Sequence, residues 1–436
     1  MRGSAAFRAA AAPGGVLAGP WVKNELWRRA RAVPSLDLRF ADNKSLVDAT
    51  TGQNLVTFTR ASSGTYVGSD GLIKTAVTNE PRFDHNPTTG ESLGLLVEES
   101  GTNLLLQSNM FNTTWTNSNS SETATAGIAP DGTNTAWELR DTSDASAAAH
   151  SLLQSVPFTS GNAYTFTVWM KAGTLNEGGI AIPSAAFGAV LINRINLSTG
   201  AVISTSVNST TVVTPFGDGW YRIALTATAT ATASGSVQIR SMNGGTTYIG
   251  TGTGTVLIWG AQLEADAFPT SYIPTTSSTV TRAADVASIS GSNFSSWYRQ
   301  DEGTVFADVP GIYNTAAAFT FSDGTNNNRI LLDHGTNTRR CRIVTGGADR
   351  ASLTSSYTYG SPIKSAAAYI LDNSALANNG SLSANSPDTS CTIPTAIDRL
   401  NIGSNATSAA QAGTSIRRLT YWPQRLPNST LQTITQ

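Results

Sequence analysis

Side chains able to do acid, base or metal chemistry are few and scattered in this 436-residue chain. Its three histidines, His85, His150 and His334, fall in well-separated stretches, and no Ser/His/Asp set has the spacing of a nucleophilic triad. Asp84-His85 and Asp333-His334 read as surface hydrogen-bonding pairs rather than general bases. Glu98 and Glu99 are adjacent, so on a strand they point to opposite faces and do not converge on one bond. They fit a strand end, exposed or paired with Arg60 or Arg82. A polysaccharide-cleaving enzyme would have to draw on Glu98, Glu264 and Asp308, none of which stands in a recognisable pair, so the sequence implies no catalytic residue and no enzyme. Cys341, Cys391 and dispersed histidines supply no zinc quartet, and no cofactor is implied. The run from Asp323 to Asn328, D-G-T-N-N-N, offers oxygen donors to calcium, but a plain Asx-rich turn explains it more simply, and no metal is assigned. Gly250 to Gly254 lacks the lysine and helix of a phosphate loop and reads as a turn.

The residue types fit glycan binding better. Sugars present apolar C–H faces and many hydroxyls, so a lectin surface combines aromatic rings with Asn, Asp and Gln in loops. Tyr313, Tyr357 and Tyr359, with Asp323, Asn326, Asn327, Asn328 and Arg329, form that set here. The competing reading of any one ring is core or inter-subunit packing. Trp169, Trp220 and Trp259 are assigned to the core.

Charged residues make up only 13% of the chain while Thr, Ser, Asn, Gly and Ala abound, a composition suited to extended all-β modules. The formal net charge of −1 argues against a nucleic-acid partner. No run approaches a membrane span, and Arg8 with Pro13-Gly14-Gly15 breaks up any signal-peptide core. The first 39 residues are the basic exception, with seven bases against two acids. They read either as a solvated tail or as an attachment arm, with Trp21, Leu26 and Trp27 as apolar anchors and Arg28, Arg29 and Arg31 as cationic ones. Cys341 and Cys391 either pair across strands or stay reduced, and a chain folded in a bacterial cytoplasm keeps them reduced.

The elements that must position these residues are strands. Val56 and Phe58 alternate with Thr57 and Thr59, and Tyr164, Phe166, Val168 and Met170 alternate with Thr165, Thr167, Trp169 and Lys171. Val256 to Trp259 is apolar on both faces, as only an interior strand tolerates. The Thr/Ala alternation from Thr226 to Ser234 fixes register weakly and predicts an edge strand or one pinned by its neighbours. Beyond it, Pro269, Pro274 and the Thr275 to Thr279 tract can be neither helix nor central strand. The chain divides into an arm at 1–35, β units at 36–110, 111–282 and 283–436, and a closing helical turn with Ser429 and Gln432 at capping-box spacing. Short strings recur in shuffled order: G-L-L-V-E at 94–98 and G-A-Q-L-E at 260–264, with T-R-A at 59–61 and 281–283.

W-G-A-Q-L-E, P-T-S-Y-I-P-T and T-V-T-R-A-A-D, between 259 and 285, resemble the exit of a carbohydrate-binding-like jelly roll found in tail-fibre and head-spike proteins of bacteriophages and gene transfer agents. L-D-L-R-F-A, F-T-R-A-S-S-G-T-Y, N-E-P-R-F-D-H and T-G-E-S-L-G-L-L-V-E-E, between 36 and 99, resemble the phage head-spike or head-fibre domain. The ending S-I-R-R-L-T-Y-W-P-Q-R-L-P-N is similar to the last strand of a concanavalin-like or laminin-G-like sandwich. The resemblance implies tandem β-sandwiches on a virion spike or fibre, assembled in the bacterial cytoplasm and displayed on the particle surface. It implies docking on capsid or tail proteins through the N-terminus, contact with host surface polysaccharide, and a homo-oligomer, with a trimer the first guess. The alternatives are a capsule depolymerase and a decoration protein that binds no glycan.

Overall fold

The computed structural model describes residues 24–311, 317–335, 337–358, 360–408 and 411–436. The chain is all-β, built as tandem β-sandwiches. Two six-stranded antiparallel sheets form a jelly roll between Thr116 and Glu264. One runs Thr210–Pro215, Trp220–Thr228, Ala163–Ala172, Thr255–Glu264, Ala136–Asp141 and Ser120–Gly127; the other runs Val202–Thr205, Leu191–Asn196, Glu177–Ile182, Ala233–Met242, His150–Phe158 and Thr116–Ser118. Tyr164, Phe166, Val168 and Met170 face the core between the sheets, as their period-2 spacing requires. The opposite face of that strand is buried too. Thr165 and Thr167 are buried, Thr165 donating to Asp266 O of the 264–275 strap at 2.9 Å, and Trp169 packs with Ile73, Trp259 and Tyr272, so Val256 and Ile258 point into one core while Trp259 points into another. The Thr/Ala tract resolves into the ends of two interior strands, Trp220–Thr228 and Ala233–Met242, and its register is pinned by the neighbours Ala163–Thr165, opposite Thr226–Thr228, and Pro157 and Phe158, opposite Ser234 and Ala233.

The second sandwich packs a seven-stranded sheet on a six-stranded one. Here the expected boundaries shift. Leu36–Leu38 pairs with Arg418–Trp422, and Thr57–Thr59 with Val286–Ser290, so the stretch after the arm supplies an edge strand to each of the C-terminal sheets. Ser92–Val97 pairs with Thr414–Ile416, and Gly94, at φ 91°, lets the Ile416 carbonyl approach where a Cβ would clash. Residues 36–103 therefore do not close on themselves: Leu36, Phe40, Phe58 and Val97 share one core with Ile289, Phe319, Leu400 and Tyr421. The jelly roll is inserted between these two halves.

The arm contributes a short helix, Glu25–Ala30, capped by Asn24, whose side-chain oxygen accepts from Leu26 N at 3.1 Å. It packs with the closing helix Asn428–Ile434 over the outer face of the six-stranded sheet, against Trp422 and Phe306. That closing helix begins after Pro427 with no side-chain cap, so Ser429 lies inside it and the expected capping box is absent.

Candidate functional site

The residues singled out as glycan-binding do not form one site. Tyr313 and Tyr359, like Trp21 of the arm, lie outside the described residues. Asp323 to Arg329 form the hairpin turn between Phe319–Ser322 and Arg329–Gly335. Asp323 accepts from Thr325 N at 2.9 Å and from Asn328 Nδ2 at 2.9 Å, the geometry of an Asx turn, while Arg329 bonds Asn326 and Asn328 accepts from Gly346 N at 3.0 Å. Asn326 and Asn327 are exposed. Tyr357 is at the other end of the same strands. Arg329 is opposite Val344 and Gly335 opposite Thr338, which in turn pairs with Ser356, so the turn and the tyrosine are separated by roughly 20 Å of strand. Tyr357 is also buried, not displayed: it is 7% exposed, its hydroxyl donates to Ser361 O at 2.9 Å, and its ring lies 5.0 Å from that of His334.

Around Tyr357 the structure makes a groove that no short motif announces. It measures about 690 Å³ and lies where the last strand of the seven-stranded sheet meets the outer strands of the six-stranded one. Its polar lining includes Asn337, Ser355, Ser356, Thr358, Asn378 and Asn379; Pro362, Ile363 and Leu382 add apolar surface, and among the described residues none that lines it is charged. Asn378 ties the two sheet edges together by donating to Ser355 Oγ. It is 8% exposed, and its Oδ1 has no partner among the described residues. Such an array of amides and hydroxyls exchanges hydrogen bonds with polyols without selecting for charge. Deeper in, His334 and Arg339 are fully buried and bonded to each other, and burial first, then the neighbouring guanidinium groups, pulls the His334 pKa far down, so the ring is neutral.

The other polar concentration is where the sandwiches join, and it gathers the recurrent strings. Arg60, Arg82, Arg282, Glu98 and Asp285 are each at most 4% exposed. Arg60 pairs with Asp285 at 3.1 Å and Arg82 with Glu98 at 2.7 Å; Arg82 also pairs with Asp285, and Arg282 lies 3.6 Å from Glu98. Ser271, on the Pro-rich strap, donates to Glu98 from its backbone N and from its hydroxyl, both at 2.7 Å. Burial pushes the Glu98 carboxyl up, but Arg282, Arg82 and Ser271 overcome this and hold it at about 2. Glu264 is satisfied nearby by Thr270, at 2.6 Å to the hydroxyl and 3.0 Å to N. Glu98 and Glu264, separate in sequence, thus converge on consecutive strap residues, whereas Asp308 is in the other sandwich, beside Arg417.

Beside this hub is a crevice of about 180 Å³ lined by Asp84, Glu98, Arg222, Trp169, Phe216 and Tyr272. Asp84 accepts from Val67 N at 2.7 Å and His85 bonds Val67 O at 3.0 Å, so this pair grips a neighbouring strand rather than lying on the surface. Asp333, 5% exposed and paired with Arg340 at 2.9 Å, is likewise not a surface partner of His334. Burial, aided by the Glu98 charge, pushes the Asp84 carboxyl up to about 6. Arg222 stacks over Trp169 at 4.7 Å and donates to Thr270 O at 2.8 Å.

The arm residues also change role. Leu26 and Trp27 are 8% and 6% exposed, and Trp27 Nε1 donates to Asp37 at 2.9 Å, so this chain already covers both intended anchors. Arg29 is engaged with Glu25 at 2.6 Å, while Arg28 and Arg31 are exposed.

No family model matches the chain, and no curated protein matches it. Solved structures with similar architecture are lectin-like and laminin-G-like β-sandwiches. A heptameric SAP-like pentraxin from Limulus polyphemus is 12% identical, with 31% of this chain and 70% of that chain covered at a TM-score of 0.23. Trypanosoma rangeli sialidase in complex with the inhibitor DANA is 11% identical, with 69% and 60% covered at a TM-score of 0.27. The LG1-3 region of the laminin alpha2 chain is 12% identical, with 63% and 64% covered at a TM-score of 0.23. The chain spans less than two thirds of the sialidase and laminin chains, and likeness at this level transfers no activity, ligand or residue role. One expectation is corrected. The exclusion of an enzyme drawn from the sequence is withdrawn, because Asp84 and Glu98, which form no pair in sequence, line one crevice.

Proposed function

We propose that this protein is a surface spike or fibre of a phage or gene-transfer-agent particle that holds host polysaccharide through its C-terminal sandwich. The observation that carries the glycan reading is the groove around Tyr357 and Asn378, uncharged among the described residues, with a buried amide oxygen that has no partner among them and apolar surface beside it. The particle reading rests on the motif resemblance between 36 and 285. Docking would use the basic residues 1–35, with Arg28 and Arg31 the exposed cations of its described part, and capsid or tail proteins as partners. Single sites of this kind bind weakly, so adhesion would arise from several copies per particle. The deciding experiment titrates the full chain with neutral and acidic oligosaccharides by calorimetry. Neutral glycans should bind, Asn378→Ala should weaken them at least tenfold, and a doubly substituted turn, Asn326→Ala with Asn327→Ala, should not. Loss in the turn variant with an intact groove variant overturns the assignment.

A second reading has one observation behind it. Asp84 and Glu98 line a single crevice with carboxyls pushed in opposite directions, to about 6 and about 2, a split that serves acid chemistry on glycosidic bonds elsewhere. Shortened capsule chains after incubation with the wild type but not with Asp84→Asn would support it.

A further inference from the structure

Strands at the edge of a sheet usually carry charge, proline or a covering element, because their unpaired N–H and C=O groups are a template for another chain. One side of the jelly roll lacks charge altogether. From Ile195 to Gly217 there is no Asp, Glu, Lys or Arg over 23 residues. This stretch contains Val202–Thr205 and Thr210–Pro215, which are the terminal strands of the two six-stranded sheets. They lie side by side, joined by a Thr205–Thr211 hydroxyl bond of 2.8 Å. Every residue of Val202–Thr205 is exposed, and Val202, Ile203, Val207 and Val212 are 45%, 42%, 82% and 46% exposed. The opposite edge of the same sandwich carries Glu122. Pro215, the one residue here without an N–H, is at the end of its strand and leaves the rest of that edge able to pair.

We propose that these paired edges are a docking surface for a second copy of this chain. Two open edges, held against each other at Thr205 and Thr211, are matched at once only by a partner presenting two edges in the same arrangement. Another copy does this by construction. A two-fold axis normal to the sheets sets Val202–Thr205 antiparallel to its own counterpart and Thr210–Pro215 to its own, continuing both sheets into the partner. The absence of charge means that the juxtaposed copies meet no like-charge repulsion, and the exposed β-branched side chains supply the apolar area that such a contact buries.

The test is sedimentation equilibrium of the full 45.5 kDa chain from 1 to 50 μM, with Ile203→Lys/Val212→Lys as the disrupting pair. Both positions are exposed, so the variant should melt with the wild type while its mass falls from two chains to one. Wild type at one chain mass throughout the range overturns the proposal. So does a trimer, or a dimer that the two lysines leave intact. If the lysine variant melts early, Ile203→Thr/Val212→Thr replaces it, with a tenfold weaker association expected and an unchanged dimerisation constant counting against the interface.

Discussion

Removing Asp285 should loosen the joint between the two sandwiches. Its carboxylate is fully buried, pairs with Arg60 at 3.1 Å and with Arg82, and accepts from Glu98 N at 2.9 Å. Asp285→Ala leaves two guanidinium groups facing an apolar methyl. Breaking a buried ion pair by deleting one partner costs about 3–5 kcal/mol, and an orphaned buried N–H about 1–3 kcal/mol. Arg82 keeps Glu98 at 2.7 Å, and Arg60 keeps the carbonyls of Val77 at 2.8 Å and Ser62 at 2.9 Å, so the penalty should not double. The expected loss is therefore about 3–5 kcal/mol, a large share of the 5–15 kcal/mol that holds a typical domain together. Equilibrium urea unfolding, followed by tryptophan fluorescence and far-UV circular dichroism, measures it, with both sandwich transitions fitted. Asp301→Ala, which removes an exposed partner of Arg299, is the control and should leave the midpoints in place. A loss below 1 kcal/mol in Asp285→Ala, or a shift equal to the control, would refute the view that this cluster couples the modules.

Three further outcomes follow from the same geometry. Asp84, whose folded-state value near 6 exceeds the ordinary 3.8, binds its proton more tightly in the fold, so the stability it supports is present below about pH 4 and drains away between about pH 4 and 6. Glu98 runs the other way: held near 2, its contribution is complete above about pH 4.5 and disappears as pH falls towards 2. Asp84→Asn should accordingly lose less urea resistance than wild type between pH 4 and pH 7, and parallel profiles would count against the assignment. Asp37→Ala removes the shared acceptor of Arg418, Arg39 and Trp27 Nε1, and should destabilise by about 3–5 kcal/mol while exposing the 24–32 segment to trypsin at Arg28 and Arg31. Unchanged cleavage kinetics would mean that the helix is held by its apolar face alone. Finally, Cys341 and Cys391 are free and at most 1% exposed, and burial pushes the Cys341 thiol up to about 12. Ellman's reagent should find no reactive thiol in native protein and two in urea.

The all-β class, the strand rhythm of the jelly roll and the core positions of Trp169, Trp220 and Trp259 were legible from composition and period-2 alternation, because these depend on which face of a local strand is apolar. The strings around Arg60, Arg82, Glu98, Arg282 and Asp285 were visible as motifs, yet their purpose was not: adjacent carboxylates and isolated arginines carry no record of the partners that lie up to 225 residues away. Register across long connections decided the rest. It placed Leu36–Leu38 and Thr57–Thr59 at the edges of C-terminal sheets, put the Asp323 turn and Tyr357 at opposite ends of the same strands, and turned Leu26 and Trp27 inward. A strand's own residues determine which of its faces is buried. The strand it pairs with, and therefore which loops share a groove, is chosen by the packing energy of the whole molecule, and that choice is made only in three dimensions.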